Sequence, residues 1–141
     1  MLAKVILIIA FFCWAFYQWS VKQNEIDKAG LVDLNLQMVA VVDSIDPGIN
    51  FHGYGIIRVC IISSNITHYD PRSSKQYYFC VIRSGMAELY THTFVSKVDT
   101  LTIDTKRKRM FYKENGKDIV SSISISGDDA YYLYIRKHTI F

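Results

Sequence analysis

Lys106, Arg107, Lys108 and Arg109 stand in a row, with Lys113 and Lys117 close behind, and they are the side chains of this chain best equipped to hold an anion. A guanidinium presents forked donors that match phosphate or carboxylate. Asn115-Gly116 just downstream is a type I′ hairpin signal, and a hairpin closed there sets Tyr112 opposite Ile119 and Arg109 opposite Ser122. Arg107 and Arg109 would then share a face with Ser122, Ser124 and Ser126, a donor stripe suited to an anion or a lipid headgroup. A solvated face, or an edge strand charged against aggregation, accounts for the same pattern.

The other reactive residues form no constellation. Cys60 and Cys80 fall opposite each other if the polar loop centred near residue 70 joins two antiparallel strands. They are then either a disulfide at the short limit of its geometry or two buried thiols. Histidines 52, 68, 92 and 138 are scattered, with neither a His-x-x-x-His nor a Cys-x-x-Cys spacing, so no metal site and no cofactor is expected. No G-x-S-x-G elbow is present, and Asp43 and Asp46 lie beside Pro47-Gly48, where a turn is their ordinary use. Asn65-Ile66-Thr67 is a glycosylation acceptor triplet in the polar loop. Nothing here points to an enzyme.

The elements that would position these residues begin with an apolar N-terminus. Val5 to Tyr17 is uninterrupted apolar sequence, with Lys4 before it and Trp19 after it. The run is short for a full bilayer crossing of about 20 residues, and its length suits a signal peptide. Its end, Trp14 to Trp19, lacks the small residues a cleavage site requires, while Tyr17 and Trp19 fit an aromatic belt. Residues 1–20 are therefore read as an uncleaved transmembrane signal-anchor, with Val5, Ile9, Phe12, Trp14 and Trp19 facing lipid; a cleaved signal is the alternative. A short tail ahead of the apolar run is a signal-anchor layout and puts the C-terminal domain on the non-cytoplasmic side. Residues 21–30 read as a short polar helical linker stopped by Ala29-Gly30.

Residues 31–141 read as one β domain. Leu34, Leu36 and Met38 alternate with polar neighbours in a first strand, Leu31 to Asp43, and Asp46-Pro47-Gly48 turns the chain. Gly53 and Gly55 flank Tyr54 and suit a bend into the strand Ile56 to Ser63 better than a ligand nest. Further strands are expected at Gln76 to Arg83, Met86 to His92, Val98 to Asp104, Lys106 to Tyr112, after Asn115-Gly116, and at Ala130 to Lys137. Ser84-Gly85 sets Val81 opposite Glu88.

About eight short strands without a helical period after residue 30 imply an all-β fold, a small antiparallel barrel or sandwich behind one hydrophobic helix. Tyrosines 77, 78, 131, 132 and 134 suit either a contact surface or β packing. The net charge of +3 is too small to imply a nucleic-acid partner. The expected function is a non-enzymatic, single-pass membrane-anchored β domain serving as a binding or accessory subunit, with the membrane and a protein as partners. The alternative is a secreted small β-barrel that binds a ligand or inhibits a partner protein.

Overall fold

The computed structural model describes residues 2–49, 51–93, 95 and 100–141. Helix α1 (Leu2–Asp27) runs without a break through the apolar N-terminus and the polar linker and ends in a π-helical turn, Lys28–Val32. By length and composition α1 can cross a membrane, and its large apolar side chains from Val5 to Trp19 are exposed among the described residues.

Seven strands follow: β1 (Gln37–Asp46), β2 (Tyr54–Ser64), β3 (Cys80–Arg83), β4 (Met86–His92), β5 (Thr100–Asp104), β6 (Arg109–Glu114) and β7 (Lys117–Ser122). All belong to a single antiparallel sheet in the order β3-β4-β2-β1-β5-β6-β7. The sheet is mostly β structure of the expected antiparallel kind, but it is open, with β3 and β7 at its edges, and not a closed barrel. Val98 and Asp99, expected to open the fifth strand, lie outside the described residues.

Two hairpins match their turn chemistry. Asn115 and Gly116 have φ of 50° and 78°, the pair of positive angles a type I′ turn requires, and Arg109 faces Ser122 as expected. Ser84 and Gly85 do the same for β3 and β4, with Val81 opposite Glu88.

Gly55 is glycine for a different reason. A Cβ there would collide with the Asp46 carbonyl and come within 2.7 Å of the Gly48 nitrogen, so β2 closes on the end of β1 only without a side chain.

The first, third and sixth strands begin later than expected, at Gln37, Cys80 and Arg109, and two larger expectations fail. Ala130 to Lys137 is not a strand but most of helix α2 (Asp129–His138). Asp128 caps it by accepting from the Ala130 N–H at 2.9 Å, and Arg136, Lys137 and His138 occupy the last turn, where cations oppose the helix dipole. Its buried residues, Tyr131, Tyr132 and Ile135, fit the helical period and not the alternation of a strand.

The second failure concerns pairing. β4 lies between β2 and β3, so Cys60 faces Met86 and Cys80 faces Leu89. β2 takes the seven-residue β4 as its neighbour and leaves the four-residue β3 at the edge. Strands two places apart are separated by roughly 10 Å, beyond disulfide reach. Both cysteines are free thiols, Cys60 exposed and Cys80 buried, and burial pushes the Cys80 thiol far above its usual pKa.

Paired residues project to the same side of a sheet, which defines its two faces. One face is continuously buried from β3 to β6, through Ile82, Leu89, Val59, Ala40, Leu101 and Met110 among others. The opposite face is covered at the β2-β4-β3 end by α2 and the chain end. There Tyr78 packs edge-on against Tyr90 and Tyr132 at 5.4 and 5.2 Å, and Tyr131 donates to the Gly55 carbonyl at 2.6 Å. The tyrosine-rich segments thus furnish core: Tyr78, Tyr131 and Tyr132 are buried.

The loop between β2 and β3 is fixed by Asp70, which accepts from Arg72 Nε and Nη2 at 2.7 and 2.6 Å and from Arg83 Nη2 at 2.6 Å. The Arg72 hydrogen bonds hold the Asp70 carboxyl well below the usual carboxylate range. A group depressed on folding stabilises above its unfolded pKa of about 3.9 and loses that contribution as pH falls through the lower folded value. Asp70→Asn is therefore expected to lower stability by about 1–3 kcal/mol at neutral pH, from the loss of charged hydrogen bonds. Denaturant titrations should show the gap to the native chain narrowing below pH ~4; a gap independent of pH would refute this account.

Candidate functional surface: helix junction and open sheet face

The end of α1 is built into the β domain. Gln23 and Asp27 lie one helical turn apart on the same side of α1, and Gln23 Nε2 donates to Asp27 Oδ1 at 3.1 Å and to the Ile125 carbonyl at 2.8 Å. Asp27 is buried and accepts the Ile125 N–H at 3.0 Å, while Lys108 Nζ stands 3.6 Å from its other oxygen and 3.4 Å from Asn24 Oδ1. Below this, Gly30 lies where a Cβ would overlap the Ile125 side chain, and Leu31 is fully buried. Lys75 Nζ reaches the Ala29 carbonyl at 2.7 Å. Residues 21–30 thus continue the helix and join it to the β domain through hydrogen bonds and packing.

The second feature is the part of the outer face that α2 leaves uncovered. Val39, Thr102, Phe111 and Val120 stand opposite one another in one row across β1, β5, β6 and β7. Val41 and Thr100 continue the row beside it, next to Cys60 on β2. Val120 is 51% exposed, and Thr100, Thr102 and Val41 are also open to solvent. Shallow depressions run on both sides of Phe111, one lined by Thr100, Lys113 and Val120, the other by Gln37, Val39 and Arg107. Charged pairs bound the rows: Asp104 with Arg107 at 3.5 Å at one end and Lys113 with Asp118 at 3.4 Å at the other. The rows are thus uncharged at their centre and charged at both ends.

No known protein family, curated protein or solved structure matches this chain.

The expected donor stripe does not form as one feature. Arg109 and Ser122 are cross-strand neighbours and exposed. Arg107 sits before β6 in the turn 105–108, where its N–H is held by Asp104 Oδ1 at 3.1 Å. Ser124 lies past the end of β7, with its hydroxyl 2.7 Å from that of Tyr54. The hairpin register was right; its strands are shorter than the stripe requires.

Val5, Ile9, Phe12, Trp14 and Trp19 are all exposed along α1, as a lipid-facing or transient segment needs. Asn65 is occupied structurally: its Oδ1 accepts from Gln37 N–H and its Nδ2 donates to the Asn35 carbonyl, both at 2.8 Å. His92 packs against Tyr54 with the rings tilted and their centroids 4.0 Å apart, and its burial lowers its pKa. Among the described residues no group of His, Cys, Asp and Glu side chains is placed to hold a metal ion.

Sequence reasoning missed the joint. Its signal was present as Gln23 and Asp27 at i, i+4 spacing, followed by Gly30 and Leu31. The partners, Lys108 and Ile125, are about 80 and 100 residues away in the chain and carry no local mark.

Proposed function

We propose that this chain is a non-enzymatic, single-pass membrane protein whose β domain acts on the non-cytoplasmic side as a binding or accessory subunit of a membrane-associated assembly. The observation that carries the reading is the joint: α1 passes from its apolar stretch into the domain without a flexible segment. A domain so mounted keeps a fixed height and tilt over the bilayer. That restricts the approach of its uncharged face, and a partner in the same membrane meets it with less orientational freedom to lose. The row Val39-Thr102-Phe111-Val120 is the surface assigned to that partner.

The secreted alternative draws on one observation, that α1 up to Trp19 touches nothing in the domain and could be removed without loss of packing. The test combines intact mass with a photo-crosslinking residue at Phe111 in cells. The expected result is a full-length chain in the membrane fraction, crosslinked to a second membrane protein. A soluble chain beginning near residue 20 would support secretion, and a full-length membrane chain with no adduct at Phe111 would remove the assigned surface.

A further inference from the structure

We infer that Lys22, Lys106, Arg107 and Lys108 form a cationic collar that contacts the phosphate-bearing headgroups of anionic phospholipids in the bilayer crossed by α1. The inference rests on α1 being retained in the membrane, and it adds a ligand to that reading: the lipid itself.

The geometry follows from the joint. Trp19 ends the apolar stretch and marks the aromatic belt at headgroup level. Along a helix rising 1.5 Å per residue, Lys22 stands about 4.5 Å and Asn24 about 7.5 Å beyond Trp19. The headgroup layer on each side of a bilayer is about 5–7 Å deep.

Lys108 Nζ lies 3.4 Å from Asn24 Oδ1, so this contact pins the turn 105–108 to the outer boundary of that layer. The turn itself is fixed: Lys108 takes a φ of 55° and its N–H donates to the Thr105 carbonyl at 3.1 Å. Lys106 and Arg107 project from it, the Arg107 side chain 75% exposed.

Three acidic groups, Glu25, Asp27 and Asp104, stand at this level against the four cations. Asp27 is buried against Lys108, and Asp104 is paired with Arg107, so these two cations are partly compensated. Glu25 is the exposed acid on this stretch of α1. Lys22 and Lys106 have no acidic partner among the described residues, which leaves the collar with excess positive charge. The Debye length of about 8 Å at physiological salt is greater than the heights of Lys22 and Asn24 above Trp19, so the field of an anionic leaflet reaches this level.

The test uses the full chain reconstituted into vesicles of phosphatidylcholine with a minority of phosphatidylglycerol, the preference for phosphatidylglycerol being read with spin-labelled lipids. Lys22→Glu with Lys106→Glu breaks none of the hydrogen bonds described above and is expected to reduce that preference roughly fivefold or more, as is high salt. Lys113→Glu with Lys117→Glu makes the same charge change at the other end of β6, roughly 20 Å along the strand, and is expected to leave the preference unchanged.

Equal losses in the two double variants, or no preference in the native chain, would overturn the collar. Soluble glycerophosphate abolishing the preference at low millimolar concentration would reassign the site to a free anion. Quenching of Trp14 and Trp19 by acyl-brominated lipid reports insertion of α1 separately. Without quenching the membrane reading itself fails; with quenching and no lipid preference, only the collar does.

Discussion

Glu88→Ala is expected to destabilise the domain by about 3–5 kcal/mol, a large share of the ~5–15 kcal/mol that holds an ordinary domain folded, because it strands a partly buried guanidinium and several donors at once. The Glu88 side chain is fully buried, and its two oxygens accept four donors. Oε1 takes Arg58 Nε at 2.9 Å and the Ile140 N–H at 3.1 Å; Oε2 takes the Tyr90 hydroxyl at 3.0 Å and the Thr139 hydroxyl at 2.6 Å. Arg58 in turn donates Nη2 to the His138 carbonyl at 2.7 Å. The carboxylate therefore ties β2, β4 and the segment after α2 into one unit.

Glu88→Gln keeps one acceptor oxygen but turns an NH2 toward donors, of which the two hydroxyls can rotate to accept and Arg58 Nε or the Ile140 N–H cannot; a loss of about 2 kcal/mol is expected. Arg58→Ala should cost nearly as much as Glu88→Ala, since it leaves a buried carboxylate unpaired. Replacing both by leucine should recover only the share owed to the orphaned charge, because the Ile140 N–H and the Tyr90 and Thr139 hydroxyls still lose their acceptor. Urea titrations of the four variants check this. A Glu88→Ala chain within 1 kcal/mol of the native one would show the network to be dispensable.

What could be read from the sequence and what could not divides along the distance over which each signal acts. Asn115-Gly116 and Ser84-Gly85 fix their own angles and so fix the register beside them, and both hairpins are as their turns dictate. Alternation marks Leu36 and Met38 as core, and both are buried, although residues 31–36 precede β1.

Pairing across a long loop has no such local determinant. β2 was free to take either strand of the β3–β4 hairpin, and the longer ladder won. The α2 segment misleads because Tyr and Ile suit strands on a pleated surface, while the Asp128 cap, the basic last turn and burial at i, i+1 and i+4 make it a helix. The open face was legible only in part: Phe111 opposite Val120 follows from the type I′ turn, but their joining with Thr102 and Val39 needs the order β1-β5-β6-β7.

The joint between helix and domain gives the other large expected effect. Asp27→Ala removes the acceptor of the Ile125 N–H and of Gln23 Nε2 together with the counter-charge of Lys108, and a loss of about 2–4 kcal/mol is expected from buried donors left unpaired. Asp27→Asn retains an oxygen for the Ile125 N–H and gives up only the Lys108 pairing, which at 3.6 Å and with Lys108 partly exposed contributes about 1 kcal/mol or less. The two substitutions therefore separate hydrogen bonding from charge.

The Ile125 amide is the local probe. Its hydrogen exchange should approach that of an unprotected amide in Asp27→Ala and remain slow in Asp27→Asn, because only the former opens the contact between α1 and the segment after β7. Such opening would also loosen the turn 105–108 against α1, since Lys108 loses Asp27 and keeps Asn24 alone. The preference for anionic lipid should consequently weaken in Asp27→Ala although a negative charge has been removed, a change opposite in sign to simple electrostatics. Slow Ile125 exchange in both variants would mean that Gly30, Leu31 and Ile125 hold the joint by packing alone, and the polar lock would then be redundant.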